Sequence, residues 1–324
     1  MAVYQDVWVD GEVVEEGARD CHTRWAIVAG VIETLGGKGR MLDWGAQAGY
    51  FAIRAAQRFP NLEVVAVDTD RRLRETVERQ STSLPNLQVV ETHAHLEDVA
   101  ANGPWDVVLA LSVLHHLELD EAKRAVRWMQ HTTKAALIEN PLRDEHRFTN
   151  RKEVAYPLDD IAQREGWPVA CMTRVRRPGM GPHVGAKLRP MYLLGRLPTP
   201  GPVKGVVKDG TRAASRTAQV WDEAWKAIGY RPVRGTLNLH GDDVEKVVGW
   251  GPPELVGVQW GKDPSQNWHW WEWQVWWPIT LEGIACHARV DPGRLEVVAP
   301  VMLRDELRLD TDYVVTVDRP TSGR

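Results

Sequence analysis

The sequence predicts a two-domain chain: an α/β domain on a mostly parallel seven-stranded sheet, then a smaller, mainly β barrel domain. Three observations point there. Residues 40–70, RMLDWGAQAGYFAIRAAQRFPNLEVVAVDTD, alternate apolar strand, glycine turn, helix and second apolar strand, which is the opening of a parallel α/β sheet. The run from Pro104 to Leu117 holds a continuous apolar strand, as a parallel strand buried on both faces must be. Leu197-Pro198-Thr199-Pro200-Gly201-Pro202 is a stiff break, because closely spaced prolines cannot continue a helix or a central strand. Beyond it the pattern changes to short strands and turns, with one helix from Thr217 to Ala227. The expected division is therefore an N-terminal extension at 1–19, the α/β domain at 20–197, a linker at 198–204 and the barrel at 205–324.

Bulk properties narrow the function classes. A chain of 324 residues is long enough for two cores of ordinary size. With 43% hydrophobic and 26% charged residues and a net charge of −4, it is composed as a soluble globular protein with no basic excess for a nucleic-acid partner. No apolar run is long enough to insert in a membrane, and the N-terminus lacks a basic-then-apolar signal pattern. Cys21, Cys171 and Cys286 are odd in number and far apart. They make neither a disulfide framework nor a zinc pattern, so a cytoplasmic location is expected.

In chain order, residues 1–20 are polar with scattered valines, and Val3 to Val14 suits a hairpin around Asp10-Gly11. An amphipathic helix is expected from Trp25 to Leu35, stopped by Gly36-Gly37. The first sheet strand ends at Asp43, and Gly45 lets the chain turn away from it. Gly49 lets the backbone approach a ligand, and a helix runs from Tyr50 to Arg58. The strand from Leu62 to Val67 delivers Asp68 and Asp70 at its carboxyl end, where a carboxylate suits a ribose diol. A helix from Asp70 to Gln80, a strand from Leu87 to Glu91, a helix from Asp120 to His131 and a strand from Ala135 to Glu139 continue the alternation. Val169 to Arg176 and Pro190 to Arg196 suit a closing antiparallel pair. Within Pro104–Leu117, His115 and His116 emerge after the apolar strand at the carboxyl edge, where ligands bind in open α/β sheets. A histidine there suits a general base; the alternative is one ring capping the loop and the other packing.

The pattern Asp43-x-Gly45-x-x-x-Gly49 resembles motif I of class I S-adenosylmethionine-dependent methyltransferases, and Trp105-Asp106-Val107-Val108-Leu109 with His115-His116-Leu117 resembles their fourth strand and loop. The resemblance covers roughly residues 20–197 and implies a Rossmann-like fold. It also implies that the methionine part of S-adenosylmethionine lies over Gly45 to Gly49 and that Asp68 holds its ribose. Fused kinase–methyltransferases that cap O-antigen chains have a similar glycine turn followed by an aromatic pair, here Tyr50-Phe51. Their kinase half has a different fold from the one expected here.

Three segments beyond the break carry a second resemblance: 205–215 (GVVKDGTRAAS), 229–239 (GYRPVRGTLNL) and 295–304 (LEVVAPVMLR). Together they resemble archaeal CTP-dependent riboflavin kinases, small β-barrel enzymes. By that resemblance Thr236 and Asn238 supply oxygens to Mg²⁺, and CTP contacts fall on Lys208, Asp209, Gly210 and Thr211 and on Val301, Met302, Leu303 and Arg304. Glu296 matches a substrate-contacting glutamate. Phosphoryl transfer needs a metal to gather phosphate charge, and Mg²⁺ takes oxygen ligands. The alternative for Gly235-Thr236-Leu237-Asn238 is an ordinary strand entry. The nucleotide loop has fewer glycines than that family's.

Seven tryptophans crowd residues 260–277, a feature foreign to riboflavin kinases. Indoles on a strand alternate faces, so from Trp268 to Trp277 one face suits a core and the other a domain, a subunit of an oligomer, or a sugar stacked on the rings. The leading expectation is a bifunctional transferase that phosphorylates a sugar, glycan or small-molecule hydroxyl and methylates the acceptor or its new phosphate. Riboflavin or a nucleoside-like acceptor is the second reading, and a non-catalytic cofactor-sensing module the third.

Overall fold

The computed structural model describes residues 4–17, 19, 21–93, 95–140, 166–172, 189–195, 197–209, 229–233, 236–263 and 268–320, with the backbone alone at 167–172, 189–190, 255–263 and 268–274. Gly210, Thr211, the helix expected at 217–227 and the indoles of Trp268 to Trp273 lie outside the described residues and side chains. The chain forms two compact units: Met1–Cys21 with Leu35–Pro168 and Met172–Arg196, and His22–Thr34 with Val169–Cys171 and Leu197–Arg324.

In the first unit β1 (Val7–Val9) and β2 (Glu12–Glu15) make the hairpin expected around Asp10-Gly11. Both turn residues have positive φ, 49° and 93°, as a two-residue hairpin turn requires. The main sheet uses β3 (Lys38–Trp44), β4 (Asn61–Asp68), β5 (Leu87–Glu91), β6 (Val107–Leu111), β7 (Ala135–Glu139), β8 (Trp167–Met172) and β9 (Arg189–Gly195) in the order β5-β4-β3-β6-β7-β9-β8. The five strands β5, β4, β3, β6 and β7 run parallel, and β9 runs antiparallel to β7. The order reverses direction between β3 and β6, which opens a crevice at their carboxyl ends. Helices α2 (Tyr50–Arg58), α3 (Arg72–Glu78), α4 (Leu96–Ala101) and α5 (Leu119–Thr132) connect the strands.

The helix α1 (Cys21–Thr34) starts four residues before the expected position and is not amphipathic. Trp25 through Ile32 are all buried, Gly30 included, and so is Arg24. A helix apolar on every side is one enclosed on every side. Gly30 gives the reason for close packing: a Cβ there would stand 2.4 Å from the Glu245 carbonyl oxygen.

The second unit is a closed barrel. Strands β10 (Val203–Lys208), β11 (Leu237–His240), β15 (Arg294–Val298), β14 (Ile284–Asp291), β13 (Trp268–Leu281) and β16 (Val314–Asp318) pair in that cyclic order, all antiparallel. The ring closes where Leu281 of β13 meets Val317 of β16, which removes the exposed edges of an open sheet. β10 begins at Val203, two residues before the expected domain start, because Val203 is buried and pairs with Val317. Val207, Leu239, Leu295, Val297, Ala288 and Val290 form the buried lining. Strand β13 is longer than the barrel: Trp268 to Trp276 pair outside the ring with β12 (Leu255–Asp263). Trp276 and Trp277, neighbours that point to opposite faces, are both buried, and Trp277 donates to the Gly251 carbonyl at 2.9 Å. Those two indoles are packing groups with no free ring face. Among the described residues no helix is long and apolar enough to cross a membrane.

Candidate functional sites

The carboxyl edge of the parallel sheet gathers most of the residues singled out in the first domain. β3 carries Asp43 into the edge, where it is 2% exposed and its Oδ2 has no partner among the described residues. Burial first, and then the Asp68 charge, push its pKa up to about 7. Gly45 and Gly49 have φ of 82° and 80°, a conformation costly for any residue with a Cβ. Their neighbours refine the expected roles. A Cβ on Gly45 would meet Val113 at 2.7 Å, and one on Gly49 would meet the Leu73 Cδ1 at 2.7 Å. Gly49 therefore seats α2 against α3, a packing reason beside the expected close approach to a ligand.

The turn is locked to the next strand. The Gly45 and Ala46 amides donate to the Val67 carbonyl at 2.9 and 3.1 Å. The Gln47 amide, at φ 51°, donates to Asp68 Oδ2 at 2.8 Å, and the Asp70 amide donates to Asp68 Oδ1 at 2.8 Å. Asp68 is thus aimed by two backbone amides, and each of its oxygens keeps a further lone pair for a hydroxyl. Asp70 pairs with Arg72 at 2.6 Å; burial raises its pKa, but the Arg72 hydrogen bonds and charge outweigh that and leave it lowered. Tyr50 begins α2 as a buried side chain against Trp8 and Phe51, its hydroxyl bonded to Arg54. Burial raises its pKa, so it stays a neutral phenol.

At the other side of the crevice His115 lies in a 3-10 turn, Leu114–His116, with its ring buried and 4.0 Å from that of His116, which is exposed. The strand-end pattern did not signal what lies beside it. Ser112, at φ 65°, donates its hydroxyl to Glu139 Oε1 at 2.7 Å and its amide to the Glu139 carbonyl at 2.8 Å. Glu139 and Asn140 close this edge, both buried. The run after β5 is structural: His95 caps α4 and its Nδ1 lies 3.1 Å from Glu121 Oε1.

Residues 42–136 match the family model described as a methyltransferase domain. The N-terminal part of this chain is a methyltransferase domain. Among solved structures the chain is similar to the bifunctional kinase–methyltransferase WbdD, at 19% identity and a TM-score of 0.44, over 70% of this chain and 49% of that one. A second WbdD structure gives 19% identity and 0.46, over 75% and 47%. The chain thus spans about half the length of the WbdD chains. It is also similar to the N-methyltransferase NodS from Bradyrhizobium japonicum WM9 bound to S-adenosyl-L-homocysteine, at 13% identity and 0.38, over 52% and 84%. No curated protein matches the chain. In the methyltransferase domain, the matched segment spans the glycine turn, Asp68 and the histidine pair.

The barrel brings together residues far apart in sequence. Register pairs Lys208 with Asn238, Asn238 with Glu296, and Glu296 with Arg289. Directly paired residues share a sheet face, so these four make one polar row on the outer face of the barrel wall. Asn238 is 6% exposed. Arg289 reaches Glu296 at 2.6 Å and Asp291 at 3.3 Å. Thr236 immediately precedes β11, outside the strand, and is partly buried. The two segments matched to nucleotide contacts also meet: Arg304 donates to the Lys208 carbonyl at 3.1 Å and to Asp209 Oδ1 at 3.0 Å. Lys208 pairs with Asp312, and Thr311 donates to Asp209 at 2.9 Å. Met302 is exposed, whereas the Leu303 side chain is buried at the start of α6 (Leu303–Glu306), which leaves Leu303 only its backbone to offer.

Tyr230 lies in the 229–239 segment, but nothing in the sequence pattern joined it to His287 and Glu254. The Tyr230 hydroxyl lies 2.8 Å from His287 Nδ1, and His287 Nε2 lies 2.9 Å from Glu254 Oε2. Burial lowers the His287 pKa against the raising effect of Glu254. A neutral ring carrying its proton on Nε2 satisfies both bonds, with Tyr230 donating to Nδ1.

Proposed function

We propose that the chain is a bifunctional transferase that phosphorylates a hydroxyl of a sugar, glycan or small-molecule acceptor and methylates the same acceptor. The methyl half is supported most directly by Asp43, whose buried Oδ2 has no partner among the described residues at the mouth of the glycine turn. That oxygen suits the cationic methionine end of S-adenosylmethionine, and Asp68, already oriented by two amides, suits its ribose diol. The cofactor would supply a methyl group on a sulfonium, an electrophile needing only a placed nucleophile. His115 is the group at the same edge able to take a proton from an acceptor hydroxyl.

The kinase half is supported by the row Lys208, Asn238, Glu296 and Arg289 together with the Arg304 link. Its two cations suit phosphate oxygens. Asn238 and Thr236 offer neutral oxygens of the kind Mg²⁺ accepts while it keeps several waters. Glu296 is balanced by Arg289, which leaves it fixed in position to receive a hydrogen bond from the acceptor. CTP is the nucleotide expected from the resemblance.

The test is a double-label assay. The protein is incubated with tritiated-methyl S-adenosylmethionine, Mg²⁺ and each γ-labelled nucleoside triphosphate over a panel of sugars and riboflavin. Both labels on one product are expected, with the phosphate label alone lost in Asn238→Ala. A methyl label with no phosphate label for any nucleotide would reduce the barrel to an acceptor-binding domain.

A further inference from the structure

Asn140 is a polar group at the sheet edge whose whole amide is unanswered among the described residues. It follows β7 directly, is 5% exposed, and among the described residues neither its Oδ1 nor its Nδ2 has a hydrogen-bond partner. Native interiors rarely leave a buried amide wholly unpaired, because its lost hydration goes uncompensated. Strand β7 stands two strand spacings, about 10 Å, from β3 and its glycine turn, with β6 between them. The methyl donor expected over Gly45 to Gly49 and a molecule held at Asn140 would therefore flank the end of β6, where His115 sits.

The chemistry of an amide specifies its complement. Oδ1 needs a donor and Nδ2 needs an acceptor, and a hydroxyl supplies both at one atom. A phosphate dianion or a carboxylate has no hydrogen for Oδ1.

We propose that Asn140 holds the methyl acceptor by a neutral hydroxyl, so that methylation falls on a hydroxyl-bearing face of the acceptor and not on a phosphate ester. This rests on the methyltransferase reading and decides between the two methylation targets left open above. In the transfer the acceptor oxygen bonds to the methyl carbon as the carbon–sulfur bond breaks. The sulfur keeps the bonding pair as a thioether, and the hydroxyl proton passes to His115.

Three measurements on the full chain test it with Asn140→Leu and the near-isosteric Asn140→Asp. S-adenosylhomocysteine titration is expected to give the same Kd within twofold for wild type and both variants. Thermal unfolding of the ligand-free protein is expected to show Asn140→Leu more stable by several degrees, since an unanswered polar group has been removed. With tritiated-methyl S-adenosylmethionine, methyl α-D-glucopyranoside and methyl α-D-galactopyranoside should be methylated at least tenfold faster than their phosphate esters, and both variants should lose that transfer by tenfold or more. A lower midpoint for Asn140→Leu would show an amide paired within the protein. A tenfold loss of S-adenosylhomocysteine affinity would make Asn140 a cofactor contact. Preference for the phosphate esters, or no transfer to either neutral glycoside, also overturns the proposal. Failure of S-adenosylhomocysteine to bind wild type would instead remove the methyltransferase reading beneath it.

Discussion

Asp43 ties stability, pH and cofactor binding together. Its pKa rises from an ordinary 3.8 to about 7 through burial and the nearby Asp68 charge. Between those values the folded protein keeps a proton that the unfolded chain has lost. The stabilisation is fully present below pH 3.8, falls as pH rises, and is gone above pH 7. At about 1.4 kcal/mol per pH unit the span is worth roughly 4 kcal/mol. Asn at this position cannot ionise, so Asp43→Asn should flatten that part of the profile and leave the ligand-free protein more stable than wild type at pH 8, by up to about 4 kcal/mol. Denaturant unfolding of both proteins at half-unit steps from pH 4 to 8 reads the difference, since carboxylates common to both cancel. A positively charged cofactor should hold Asp43 ionised, so S-adenosylmethionine binding at pH 6 should release a proton. Calorimetry in buffers of different ionisation enthalpy detects that release. Parallel stability profiles for wild type and Asp43→Asn, with no proton released, would show that Asp43 is neither protonated in the folded protein nor a cofactor contact.

Four further outcomes follow from the same geometry. Gly49→Ala should lose about 2–4 kcal/mol, from left-handed backbone strain and a methyl group forced against Leu73, and the added Leu73→Ala change should return part of it in a double-mutant cycle. Arg289→Met should cost about 3–5 kcal/mol in chemical denaturation by leaving Glu296 half-enclosed and unpaired. His287, held neutral by burial to a lower pH than in the unfolded chain, should make the barrel lose stability as pH falls below 6.5, and His287→Asn should remove that acid-side loss. Asn238→Ala should abolish phosphoryl transfer while S-adenosylmethionine binding stays as in wild type; equal loss of both would contradict a division of labour between the domains.

Much of the first domain was legible in the sequence because its signals are local. The helix at Tyr50–Arg58 and the strands at Leu87–Glu91 and Ala135–Glu139 appear with the expected bounds, since a glycine turn and a strand followed by a helix declare themselves within a few residues. The start of α1 was missed because the pattern sought one apolar stripe, whereas this helix is enclosed all round. Gly49 shows how a correct motif residue can carry a second reason: its neighbour Leu73 lies a helix away. In the barrel the short strands were expected, but closure through Leu281 and Val317 is a non-local pairing that no window of sequence contains. The same holds for the row from Lys208 to Arg289 and for the chain from Tyr230 through His287 to Glu254. Asn140 gave no signal at all, because an unpaired amide is recognised only once its surroundings are known.

Thermal unfolding with S-adenosylhomocysteine and with each nucleoside triphosphate plus Mg²⁺ tests the two-site account most directly, on wild type, Asp68→Ala and Asn238→Ala. A ligand at a hundred times its dissociation constant stabilises the folded state by about 2.7 kcal/mol, enough to move the midpoint clearly. The account predicts that wild type responds to both ligand classes, that Asp68→Ala loses only the response to S-adenosylhomocysteine, and that Asn238→Ala loses only the response to nucleotide. A wild-type chain that responds to S-adenosylhomocysteine and to no nucleotide would contradict it.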